Sequence, residues 1–184
     1  MEFLIYSRAA PNAADVEDED ALDEAHWSYM DRFADGMVAR GPTLGPDRET
    51  WTGSIHIVDL PSAEAAHEFV AQEPYNRAGL FEEHLVRRFH NLLGRTMWEF
   101  PGASDEPRFM VFAEADAHAP ALPLIALPRE CLIVHGKLLT PHDARPAGVA
   151  LALQAPTRDA VDALLGLDQH LDVRVLDWEF GGRR

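Results

Sequence analysis

The sequence predicts an α+β fold made of two copies of one β-α-β-β-α-β unit, and three observations carry that reading. Short β-rich runs alternate with two helical stretches through the first 91 residues. A shift of 95 positions lays glycines and prolines of the second half onto those of the first. A proline- and glycine-bearing segment separates the halves. The element order is the split β-α-β arrangement of ferredoxin-like units, whose sheet is antiparallel.

The elements follow in order. Glu2 to Tyr6 is a short apolar run and reads as the first strand, its segment ending at Pro11. A helix is expected from about Asp15 to Met37, because Leu22, His26, Met30, Phe33 and Met37 recur every three or four residues. Gly36 weakens its last turn. Val38 to Leu44 reads as extended, with a break at Gly41-Pro42, and Gly45-Pro46-Asp47 as a turn. Trp51 to Leu60 is the next strand. Ser62 suits the N-cap of a second helix, which Pro74 stops near Glu73 by biasing that residue away from helical geometry. Pro74 to Phe81 reads as a loop, and His84 to Asn91 as the last strand of the unit.

From Arg108-Phe109-Met110-Val111-Phe112 the pattern restarts. The shift of 95 pairs Gly41 with Gly136, Leu44 with Leu139, Pro46 with Pro141, Gly53 with Gly148, Pro61 with Pro156 and Ala65 with Ala160. Ser62 meets Thr157 and Glu73 meets Asp168. Self-similarity at a fixed offset is a fold-level signal. The offset falls to 87 at Val173-Arg174, so the second copy is shorter after Asp168; Asp116 to Leu127, interrupted by prolines, lacks most of the first helix. The expected division is a complete unit at 1–100, a linker at 101–107 and a degenerate copy at 108–184. Each unit has an apolar sheet face to bury, so the two sheets are expected to pack together as a pseudo-dimer within one chain, an α+β barrel. A further homodimer stays open.

Composition narrows the function. Acidic side chains outnumber basic ones 31 to 16, which argues against nucleic acid or an anionic membrane as partner. The acidic run Asp15 to Asp20 reads as a solvated helix start. The single cysteine, Cys131, excludes an intramolecular disulfide and a cysteine-based zinc site, and reads as a small buried hydrophobe. No signal peptide or spanning segment is recognisable, so a cytoplasmic location is expected. No H-E-x-x-H, phosphate-loop, dinucleotide or G-x-S-x-G motif occurs, so neither a metal nor another cofactor is expected.

His26 stands out because it sits on an apolar helical stripe, where an imidazole needs a polar partner. Glu73, at the end of the second helix, is the candidate partner. A carboxylate on one ring nitrogen would fix the tautomer and leave the other as general base or acid. The alternative is a satisfied core histidine and a solvated helix-end carboxylate. Gly41-Pro42 permits close backbone approach of a ligand, or simply bends the strand.

Taken in order, F-L-I-Y at the start, His26 with Tyr29, Gly41-Pro42, Thr52-Gly53-Ser54, Ala65-Ala66, Glu73-Pro74-Tyr75 and Ala78 to Phe81 resemble the YCII-related family across Glu2 to Asn91. The likeness is faint from Arg108 onward. The resemblance implies a dimeric ferredoxin-like α+β barrel and a dyad of His26 with the acid before Pro-Tyr, Glu73, where the family usually has Asp. It also implies chemistry of the kind seen in a relative that dehydrochlorinates a chlorinated hydroxyhydroquinone, or in the lactone isomerases and small monooxygenases of the wider superfamily. The resulting expectation is a lyase or isomerase acting on a small cyclic or aromatic-derived molecule, with His26 and Glu73 catalytic and Gly41, Pro42, Ser54 and Tyr75 lining the pocket. The alternatives are a non-catalytic metabolite-binding or accessory domain, and a purely structural partner protein. One site is expected per chain, because Ala121 stands at the His26 position of the second copy and Gln169-His170 follows Asp168.

Overall fold

A computed structural model describes residues 1–11, 13, 19–102, 105–114, 127–165 and 172–182. Eight strands, every neighbouring pair antiparallel, form a closed barrel: β1 (Glu2–Ala9), β2 (Met37–Leu44), β3 (Trp51–Asp59), β4 (Phe81–Asn91), β5 (Arg108–Glu114), β6 (Leu132–Leu139), β7 (Pro146–Gln154) and β8 (Asp172–Trp178). Among the described residues four α-helices accompany them: α1 (Glu19–Asp31), α2 (Ala63–Gln72), α3 (Pro74–Arg77) and α4 (Arg158–Leu165). Around the barrel the order is β1-β3-β2-β8-β5-β7-β6-β4. The first four strands are thus contiguous as β2-β3-β1-β4, and the last four as β6-β7-β5-β8. No described helix is long and apolar enough to cross a membrane.

Strand alternation sorts the core. Leu4 and Tyr6 point into the barrel with Ile55, Ile57, Met110, Phe112, Ile133 and Trp178, a cluster drawn from both halves of the chain. Phe3 and Ile5 point outward, where Met30, Phe69 and Ala66 from α1 and α2 cover them. Phe109 and Val111 repeat that outward pattern beneath Val161 and Leu165 of α4. Burying each such side chain is worth about 1.5–3 kcal/mol, so the one-residue alternation in β1 and β5 decides which side of each wall is covered.

Two seams close the barrel. β4 meets β6 from Arg88↔Leu139 to Asn91↔Gly136. β2 meets β8 at Thr43↔Trp178 and Leu44↔Asp177, and the chain after β8 continues beside β2, Glu179 N–H donating to Pro42 O and Gly181 N–H to Arg40 O. Arg48 pairs with both Asp177 and Glu179, Arg108 holds Glu179 at 2.8 Å, and Arg158 holds Asp177 at 3.1 Å. These pairs fix the final segment, 179–182, against β2.

Four expectations need correction. The first helix was expected to reach Met37, but α1 ends at Asp31, a 3₁₀ turn spans Ala34–Gly36, and Met37 opens β2. The stripe ran on because Met37, as a strand residue, packs into the same cluster as Met30 and Phe33. The segment after Glu73 was read as loop, yet Pro74–Arg77 forms α3, with proline at the first helical position where its missing N–H costs nothing. β4 starts at Phe81, three residues before the expected His84. Cys131 is half-buried in the turn before β6, its Sγ donating to Pro128 O at 3.0 Å. The start of the acidic run, the region expected to lack a first helix and the Asp168 loop lie outside the described residues, apart from Leu127.

Candidate active site

Glu73 is held at a joint. Pro74 keeps it extended (φ −62°, ψ 127°), which ends α2, and its carboxylate then caps α3, Oε2 accepting from Asn76 N–H at 2.8 Å. The other oxygen, Oε1, lies 2.6 Å from Nδ1 of His26 on α1. A carboxylate only accepts, so Nδ1 carries the hydrogen and Nε2 is left as the lone-pair nitrogen. Tyr75 stacks on the imidazole, ring centres 4.2 Å apart and planes 5° from parallel, and its hydroxyl donates to Asp23 Oδ1 at 2.6 Å. The imidazole is therefore gripped on its edge by Glu73 and on its face by Tyr75.

A second histidine braces the joint from behind. His84 on β4 lies 2.9 Å from Ser7 Oγ through Nδ1 and 2.9 Å from Asn76 Oδ1 through Nε2. Asn76 in turn donates to Val70 O at 3.0 Å. Both nitrogens of His84 are engaged, and burial pushes its pKa down. In contrast, His26 has one nitrogen engaged among the described residues.

Between α1, α3, the outer face of β2 and β3 and the final segment lies a cavity of about 400 Å³. His26, Gly41, Pro42, Ser54 and Tyr75 line it, and Glu73 stands behind His26. The structure thus brings the sequence-selected residues to one place. It adds Asp23, Trp27, Arg40, Trp51, His56 and the segment Phe180 to Gly182. Ser54 and His56 alternate with the barrel-facing Ile55 and Ile57, and are cross-strand partners of Pro42 and Arg40. His56 is buried; desolvation first, then repulsion from His26 when that ring is protonated and from Arg40, push its pKa down to about 3.

Gly41 lines the cavity and also has a role that was not expected. Its backbone is approached by the final segment, since a Cβ there would overlap the Glu179 carbonyl oxygen. Close approach is used to dock a wall, and that wall reaches the cavity through Phe180. Arg108 sits 4.3 Å from the Phe180 ring centre and fixes its position. Periodicity could not reveal Phe180 or His56: one lies past the last strand, and the other looks like any alternating strand residue. Among the described residues no three His, Cys, Asp or Glu side chains converge as a metal site would require.

The chain is similar to several known proteins. An uncharacterized protein of Haemophilus influenzae is 27% identical over 96 residues, which cover 48% of this chain and 96% of that protein. Among solved structures, the 5-chloro-2-hydroxyhydroquinone dehydrochlorinase TftG of Burkholderia phenoliruptrix, in complex with 2,5-dihydroxybenzoquinone, is 31% identical; the match covers 52% of this chain and 99% of that one, at a TM-score of 0.45. A Lactobacillus acidophilus protein provisionally named a monooxygenase matches 98% of this chain and 96% of its own at 11% identity and a TM-score of 0.49. The YCII-related domain model matches residues 1–90, and the first half of this chain is a YCII-related domain.

Proposed function

We propose that the protein is a small-molecule enzyme of the lyase or isomerase type, in which His26 moves a proton and Glu73 orients it. The observation that carries this reading is the 2.6 Å contact of Glu73 with Nδ1 of a histidine that lines the cavity. Nε2 would take a proton from an acidic C–H or O–H of the substrate, and the carboxylate would stabilise the imidazolium so formed. In an isomerisation the same proton returns to another atom of the substrate. In an elimination the electron pair left behind expels a leaving group, and the imidazolium later releases its proton to water. Neither route needs an oxidant. Gly41, Pro42, Ser54 and Tyr75 would contact the substrate, and the aromatic lining suits a single small ring.

We also infer that the chain is a dimer of units fused end to end. The strand order of its halves is the same, β2-β3-β1-β4 and β6-β7-β5-β8, and a relative is spanned almost completely by half of this chain. The first unit would carry the site and the second would close the barrel and supply its last wall.

The test is exchange of α-protons of small cyclic ketones, beginning with cyclohexanone, into D₂O followed by proton NMR. The wild-type protein should catalyse exchange, and His26→Ala should slow it about 10²–10⁴-fold while the circular dichroism spectrum is unchanged. Binding without exchange across the series would favour a non-catalytic metabolite-binding domain instead.

A further inference from the structure

His56 is a buried imidazole whose polar atoms the fold does not use. It is 4% exposed, at the centre of β3, with its ring edge on Phe69 at 5.6 Å between centres and His26 at 6.1 Å. Among the described residues neither ring nitrogen meets a hydrogen-bond partner, and the ring forms part of the cavity floor. His84, which does not line the cavity, has by contrast a partner on each nitrogen. An imidazole that lines a cavity and has no described protein partner is a site for something that enters the cavity.

We propose that His56 is the hydrogen-bond donor that holds an oxygen of the ligand, so that the site takes a small ring bearing a ketone, enol or phenol oxygen. The inference rests on the proton-transfer reading above and assigns the second contact it needs. When Nε2 of His26 removes a proton from such a ring, negative charge gathers on the oxygen, and a donor preset at that oxygen stabilises it. His56 suits the task because it stays uncharged. Its burial and the neighbouring His26 and Arg40 disfavour imidazolium, so it offers one N–H and does not compete with His26 for the proton. The two rings then divide the work, His26 as base and His56 as neutral donor. The aromatic side chains of Trp27, Trp51, Tyr75 and Phe180 would sandwich the ring between them.

The experiment uses the full chain and 4-nitrophenol, whose absorbance reports both binding and the state of its oxygen. Wild type should bind it with a shifted spectrum, and the ¹⁵N signals of the His56 ring should move on titration. His56→Phe should weaken binding about tenfold and abolish the shift, the loss of one hydrogen bond; His56→Gln, which keeps a donor, should bind within about threefold of wild type. Equal affinity and spectrum in His56→Phe would overturn the proposal, as would unmoved His56 ring signals in the saturated wild type, which needs no variant to fold. Failure of wild type to bind either 4-nitrophenol or cyclohexanone at millimolar concentration would overturn it too. The base reading fails separately, by normal exchange in His26→Ala while His56→Phe still weakens binding.

Discussion

Gly41 and Glu179 lie so close that the first can carry no side chain: a Cβ on residue 41 would occupy the place of the Glu179 carbonyl oxygen. Two residues 138 positions apart thereby set the distance between β2 and the segment that walls the cavity. Gly41→Ala should push that segment off β2, break the Gly181 to Arg40 hydrogen bond and cost about 1–3 kcal/mol. Denaturation should report the loss, and ligand affinity should fall further than in Phe180→Ala, which removes the wall's side chain and leaves its backbone docked.

Glu73 joins two duties, capping α3 and holding His26, and a substitution can separate them. In Glu73→Gln a side-chain oxygen still accepts from Asn76 N–H, so stability should change by less than about 1 kcal/mol. The amide nitrogen then faces Nδ1 of His26 as a donor and forces the hydrogen to Nε2. Proton exchange should fall at least 10²-fold with little loss of fold, measured by NMR exchange alongside thermal melting.

The seam between β2 and β8 depends on charge. Asp177 is buried and held by Arg48 and Arg158, while Arg48 also reaches Glu179. Arg48→Met should lower stability by about 1–3 kcal/mol, because one partner of a buried carboxylate is removed. Urea unfolding should show a reduced midpoint, and Arg48→Lys should recover part of it.

Stability should fall on mild acidification. The folded pKa of His56, about 3, lies below its ordinary value of 6.5, so the unfolded chain binds a proton that the folded chain refuses. The contribution is full above pH 6.5 and is lost progressively as pH drops from 6.5 toward 3. Burial holds His84 and His135 down as well, and adds to the same slope. Melting temperature should therefore decline between pH 6.5 and 4.5, before most carboxylates titrate, and His56→Phe should flatten part of that decline.

Much of this molecule is legible along the chain. Residues local to one element report on it directly: the apolar run of β1, Ser62 accepting from Ala65 N–H at the start of α2, and the turn at Gly45-Pro46-Asp47. His26 and Glu73 could be named because each breaks a local pattern, a polar ring on an apolar stripe and a carboxylate before Pro-Tyr. Their contact, the stacking of Tyr75, the part played by His56 and the wall at Phe180 are decisions of tertiary structure. A period of 3.6 or 2 says which face of an element is apolar, but not which other element lies over it. His56 sits at an outward position of β3 that would look the same beneath a dry helix, and only the gap between α1, α3 and the last segment makes it the floor of a cavity. That gap exists because the barrel closes, bringing the end of the chain beside β2, a contact between distant residues that no local spacing encodes.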